Sequence, residues 1–167
     1  MKLAKNLERL GTESAFSILA EAKKLEAQGK EMIHLGLGQP DFKTPQHVVD
    51  AAKKALDDGH HGYVLSNGIL ECRQAVTRKI KKLYNKDIDP ERVLIMPGGK
   101  PTMYYAIQCF GEPGAEIIHP TPAFPIYESM INYTGSTAVP YDLTEDKDLK
   151  FNPKKILSLI TDKTRLL

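Results

Sequence analysis

From Val93 onward, short apolar runs alternate with amphipathic stretches, and this rhythm leaves few folds open. Val93–Met96, Glu116–His119 and Thr137–Tyr141 read as strands, while Lys100–Phe110, stopped by Gly111, and Ile126–Tyr133 read as the helices between them. Short apolar strands alternating with helices imply βαβ units. The expected class is therefore α/β, with a largely parallel sheet carrying helices on both faces. Ligands of such sheets bind at the carboxyl ends of the strands. Two loops fall there, Pro97-Gly98-Gly99-Lys100 and Pro120-Thr121-Pro122-Ala123-Phe124-Pro125.

The first of these loops carries chemistry of its own. Gly98 and Gly99 allow a backbone turn with positive φ and a close approach to a ligand, and the helix that follows offers N–H groups without intrahelical partners. Pro101 suits a first helical turn, and Lys100 adds a full positive charge. The combination is an anion cradle fitted to a phosphate-bearing small molecule. It is not a P-loop, because the upstream glycine is missing and Lys100 is followed by proline, and no G-x-G-x-x-G stands at a strand end.

Upstream, Ala15, Phe16, Ile18, Leu19, Ala22 and Leu25 predict an amphipathic helix with Ser14 as cap and Gly29 as stop. Met32–Leu35 reads as a short strand entering the loop Gly36-Leu37-Gly38-Gln39-Pro40-Asp41-Phe42. Thr44 and Pro45 are the expected cap and first residue of a helix whose inner face is Val48, Val49, Ala52, Ala55 and Leu56. After the loop Gly62–Gly68, the residues Leu70, Cys72, Ala75, Val76, Ile80 and Leu83 trace a longer helix. Pro153–Ile160 reads as a helix and Thr164–Leu167 as the first half of a buried strand, so the expectation is a chain truncated within its sheet.

Composition excludes several function classes. A net charge of +2 over 167 residues, with 41% hydrophobic and 26% charged, describes a globular domain without the field that nucleic acid requires. Lys79-Ile80-Lys81-Lys82 reads as a solvated helix face. No run is long and apolar enough for a signal peptide or a membrane span, and the expected location is the cytoplasm. Cys72 and Cys109 fall in apolar helical patterns and read as buried free thiols. His60-His61 has no acidic or cysteine partner at ligand spacing, so no metal site is expected. Asp57-Asp58 and Glu145-Asp146 read as surface charge, and Phe16, Phe42, Phe110 and Phe151 as core phenylalanines.

The order and spacing of these pieces carry a resemblance. Gly38-Gln39-Pro40-Asp41-Phe42, then Thr44-Pro45 and His47-Val48, then Tyr63, Gly68, Gly98-Gly99-Lys100 and Thr121-Pro122-Ala123-Phe124-Pro125-Ile126-Tyr127 resemble the amino-terminal part of class I aminotransferases. These are fold-type-I enzymes dependent on pyridoxal 5′-phosphate. The resemblance implies that residues 1–43 form an arm and a helix of the small domain, and that 44–167 begin the cofactor-binding large domain. It implies that Gly38 offers its backbone N–H to the substrate α-carboxylate, and that the phenol of Tyr63 reaches the cofactor phosphate of the neighbouring subunit in a homodimer. Gly98, Gly99 and Lys100 match the phosphate turn. Phe124 stands where an aromatic, often tryptophan, stacks on the pyridine ring and faces substrate; phenylalanine keeps the stacking and loses any N–H donor. Near the first helix, where aspartate-preferring relatives often carry a threonine, this chain has Ser14-Ala15-Phe16.

The resemblance also implies what this stretch does not hold. In the family the Schiff-base lysine, the pyridine-paired aspartate, the asparagine of N-P-x-N-P-T-G and the carboxylate-clamping arginine all follow the region covered here. No catalytic residue is therefore expected in these 167 residues, and the chain alone is expected to be inactive. Lys23, Lys24, Lys53 and Lys54 read as helix-exterior pairs and Lys100 as a phosphate contact, none of them as the catalytic base. The implied activity is transfer of an amino group from an amino acid to a 2-oxo acid. Two alternatives share the motifs, a lyase like aminocyclopropane-carboxylate synthase and a non-catalytic effector-binding module.

Overall fold

β1 (Glu116–Thr121) is the strand on which one half of the molecule is organised. Ile117, Ile118 and His119 are consecutive and all buried. A strand covered on both faces belongs at the centre of a parallel sheet. In the computed structural model, which describes residues 2–11, 14–36, 38–143 and 151–167, the strand order is accordingly β2-β1-β3. β2 (Thr137–Asp142) runs parallel to β1 from Glu116↔Thr137 to Thr121↔Asp142. β3 (Thr164–Leu166) pairs parallel on the other side through Glu116↔Thr164 and Ile117↔Leu166, with a shift of register between them. Pro140, which has no N–H for a ladder, sits on β2, where only one side is paired among the described residues.

The described chain forms two compact units, Met1–Leu37 with Gly98–Leu167, and Gly38–Pro97. In the first, α4 (Gly99–Phe110) and α5 (Ile126–Thr134) pack on the sheet. The core is Ile107, Ile117, Met130 and Ile131, closed by Tyr104, Ile126, Tyr133, Ala138 and Leu166. α5 ends where Gly135 takes φ +86, and a short 3-10 helix, Lys5–Arg9, docks on it. The Arg9 guanidinium donates to the carbonyls of Asn132 and Tyr133, both at 2.8 Å, which satisfies the open end of that helix. α1 (Ser14–Ala27) buries Ala22 and borders, with the stretch from Met32 to Gly36, a cavity of about 100 Å³. Tyr141 is buried beneath α6 (Pro153–Leu159); its ring stacks on Phe151 at 5.7 Å and its hydroxyl accepts from the Asn152 amide.

The second unit contains α2 (Gln46–Asp57) and α3 (Leu70–Tyr84), followed by a 3-10 turn at Pro90–Arg92. Its buried centre is a charge. Arg73 on α3 is only 2% exposed and donates to the carbonyls of Gly68 and Pro90 and to the Glu91 carboxylate.

Several expectations are corrected. Met32–Leu35 is not a strand: Ile33 and Leu35 stand 85% and 90% exposed, and among the described residues no neighbouring strand supplies a ladder. Val93–Met96 is likewise outside any sheet, although the Ile95 amide does donate to Asn67 O at 3.1 Å. Apolar β-formers make a strand only when a partner backbone takes up their N–H and C=O groups. Pro45 is the residue before α2 rather than its first, and no side chain caps that helix. Phe16, Phe42, Phe110 and Phe151 are each more than half exposed instead of core. Cys72 is half-buried and Cys109 exposed; both are free. Lys23, Lys24, Lys53, Lys54 and Lys79 are exposed, as are Asp57, His60 and His61. Glu145 and Asp146 lie outside the described residues.

Ile131 has no solvent-accessible surface, so Ile131→Ala leaves a cavity that the packed sheet cannot close. The expected loss is about 2–5 kcal/mol, read as a lower urea midpoint at an unchanged slope.

Candidate functional site: the start of α4

The turn into α4 is made by one glycine. Gly98 has φ +104 and ψ 166, a region essentially closed to residues with a Cβ, and it is the N-cap residue of the helix. Having no side chain, it supplies no side-chain cap to the first-turn amides. Thr102 secures the turn by donating its hydroxyl to Gly98 O at 3.3 Å. No acidic residue lies in the first turn of α4, and Lys100 adds its charge to the positive end of the helix dipole. A Cβ built on Gly99 would meet nothing within 4 Å, so the approach to its backbone is open. Pro101 stands in the first turn as expected, where its missing N–H is harmless.

Phe124 is brought to this turn. It lies in the loop after β1, beyond the cis Thr121–Pro122 peptide, and its carbonyl accepts from the Tyr127 amide as α5 begins. Its ring meets Tyr127 edge to face, with centroids 6.4 Å apart and planes at 89°. The Lys100 ammonium stands 5.2 Å from the Phe124 centroid. At 36% exposure the ring still presents surface to solvent.

Phe16 is the residue that reading the sequence missed at this site. Its ring lies 5.3 Å from the same ammonium, so Lys100 is held against two aromatic faces, one from α1 and one from the loop before α5. A cation over a ring at this range contributes roughly 0.5–1 kcal/mol when exposed and more when desolvated. The helical spacing of Phe16 resembled that of its apolar neighbours, and only tertiary contact shows that it faces a charge.

Gly38 and Tyr63 belong to the other unit. Gly38 is exposed, and a side chain there would meet no atom within 4 Å. Tyr63 is fully exposed between Gly62 and Val64. Of the six residues singled out from the sequence, Gly98, Gly99, Lys100 and Phe124 therefore share one unit, and Gly38 and Tyr63 share the other. Among the described residues no group of three or more His, Cys, Asp or Glu is placed to hold a metal, and no helix is long and apolar enough to cross a membrane.

A three-stranded parallel sheet with helices packed on it defines an α/β protein. Residues 30–167 match the family model for aminotransferase class I and II. The chain belongs to that family. It is 34% identical over its full length to an aspartate aminotransferase of Bacillus subtilis, and 36% identical over 142 residues to a (5-formylfuran-3-yl)methyl phosphate transaminase of Methanocaldococcus jannaschii, 85% of this chain. Among solved structures, an alanine aminotransferase from Pyrococcus furiosus superposes with TM-score 0.88 at 28% identity. An aspartate aminotransferase from Thermus thermophilus with maleate does so with the same score and identity; each superposition covers 98% of this chain. The chain spans about 42% of the length of the Bacillus relative and of the Pyrococcus structure, and 38% of the Methanocaldococcus relative.

The backbone conformation at Gly98 makes a direct test. Gly98→Ala is expected to lower stability by about 1–3 kcal/mol through strain alone. The measurement is the shift in denaturation midpoint; a neutral result would mean that the turn relaxes to negative φ.

Proposed function

We propose that this chain is the amino-terminal portion of a pyridoxal 5′-phosphate-dependent aminotransferase that moves an amino group between an amino acid and a 2-oxo acid. The observation that carries this reading is the start of α4, where an unblocked helix N-terminus and the Lys100 ammonium stand within reach of an aromatic ring. The residues present fit the cofactor. The amides after Gly98 and the charge of Lys100 suit a phosphate dianion, and Phe124 offers a flat apolar face to a heterocycle. When bound, pyridoxal 5′-phosphate supplies an electron-withdrawing ring that stabilises negative charge at the amino-acid Cα.

The chain's own residues do the holding. Gly98 and Gly99 let the backbone meet the phosphate, Lys100 balances its charge, and Phe124 keeps the ring plane. Gly38 donates its backbone N–H to the substrate α-carboxylate, a role that suits a glycine with open space at its α-carbon. Tyr63, whose phenol is fully exposed, donates to the cofactor phosphate of a second copy, which makes the enzyme a homodimer. Residues 1–43 contribute to the small domain and 44–167 begin the large one. The lysine that carries the proton between carbon atoms lies outside these residues, so the 167-residue chain by itself does not turn over substrate. The location that goes with this reading is the cytoplasm.

In the full-length protein, Lys100→Met is expected to weaken pyridoxal 5′-phosphate binding about 10-fold or more, with a smaller dependence on salt than the parent. Equilibrium titration of the apoprotein measures both. Unchanged affinity would remove Lys100 from the phosphate site. Stoichiometric conversion of an added amino acid to its 2-oxo acid, with the cofactor recovered in its amine form, separates a transaminase from a lyase.

A further inference from the structure

The buried guanidinium of Arg73 has no part in the chemistry proposed above, and a charge that is 98% enclosed requires a reason. It faces three acceptors in its own unit: Gly68 O at 3.1 Å, Pro90 O at 3.1 Å and Glu91 Oε1 at 2.7 Å. Glu91, its only ionic partner among the described residues, is itself 67% exposed at the side chain. Breaking a pair in which one charge is so deeply buried is strongly destabilising, because the remaining ion keeps its desolvation penalty.

What the guanidinium grips is the end of a loop. Gly68 closes a tight turn with its amide on Leu65 O at 2.9 Å. The same turn is held from a second side, since the Ile95 amide donates to Asn67 O and the Asn67 side chain reaches Glu91 at 3.4 Å. Gly68 sits at φ +96, and a Cβ there would stand 2.7 Å from the Ile95 side chain, so the contact is already at its limit. Upstream, the loop leaves α2 through a backbone cap in which the His60 amide donates to Ala55 O at 2.9 Å. Tyr63 lies between these two anchors. Around it the chain is open: Tyr63 is fully exposed, and Val64 and Leu65 are 63% and 66% exposed.

We infer that Arg73 is a positioning residue for Tyr63: by clamping Gly68 to the Pro90–Glu91 turn it fixes one end of the 60–68 loop and so sets where the exposed phenol points. This rests on the proposed contact between Tyr63 and a phosphate. The two ends of a short loop determine the conformations open to its middle. A lysine at position 73 keeps the charge but not the fork that holds two carbonyls and a carboxylate at once.

The test uses the full-length apoprotein titrated with pyridoxal 5′-phosphate and, separately, with pyridoxal, which lacks the phosphate. Tyr63→Phe is expected to weaken pyridoxal 5′-phosphate binding about tenfold, the size of one charge-assisted hydrogen bond, and to leave pyridoxal unchanged. Arg73→Lys is expected to do the same, and the double variant to bind no worse than either single one. Losses that add in full, or an Arg73→Lys effect equal for both probes, would overturn the inference and leave the Tyr63 contact standing. No effect of Tyr63→Phe would overturn the contact itself, and the positioning role with it. Should Arg73→Lys fail to fold by circular dichroism, Glu91→Gln at the exposed side of the clasp decides: a phosphate-selective loss coupled to Tyr63 supports the role, and unchanged binding defeats it.

Discussion

Burial of β1 on both faces is the constraint from which the sheet unit follows. Ile117 and Ile118 point to opposite sides of the sheet, and each side must be covered by something apolar. α4 and α5 supply one cover with Ile107, Met130 and Ile131, and the parallel pairing of β2 and β3 satisfies the backbone. Parallel strands demand long crossovers, which place a loop and a helix start after each strand on the same side of the sheet. The loop that carries Phe124 is a product of that geometry, whereas the turn at Gly98 follows Val93–Met96, which is outside the sheet.

The electrostatics of the site come from three sources that reinforce each other. The N-terminus of α4 is positive by its dipole, Lys100 is positive by its side chain, and no acidic side chain in the first turn opposes them. Two phenyl rings then flank the exposed ammonium. In the proposed function, this small surface grips both halves of a phosphorylated heterocycle.

Much of the fold was legible because local signals agreed with the final packing. The alternation from Glu116 to Asp142, the stop at Gly111 and the Gly98-Gly99 turn all appear where apolar spacing and glycine placed them. Legibility failed where a tertiary partner was needed. Met32–Leu35 and Val93–Met96 have the composition of strands but no ladder. Phe16 has a helix-face spacing that says nothing about Lys100. Arg73 did leave a trace, since it falls with Cys72, Val76 and Ile80 on the more buried face of α3, where a charge is out of pattern. Its acceptors, Gly68 and Pro90, are backbone carbonyls and have no signature in the sequence.

By itself the sequence determined the α/β class, the parallel character of the strands and the glycine turn into α4, because these depend on residue spacing and on backbone freedom at glycine. Tertiary structure alone decided that two phenylalanines flank Lys100, that a buried guanidinium ties down the loop bearing Tyr63, and which apolar runs become strands. Those outcomes depend on groups distant in the chain meeting in space, and hydrogen bonds and ring contacts of that kind are specified by packing, not by local periodicity.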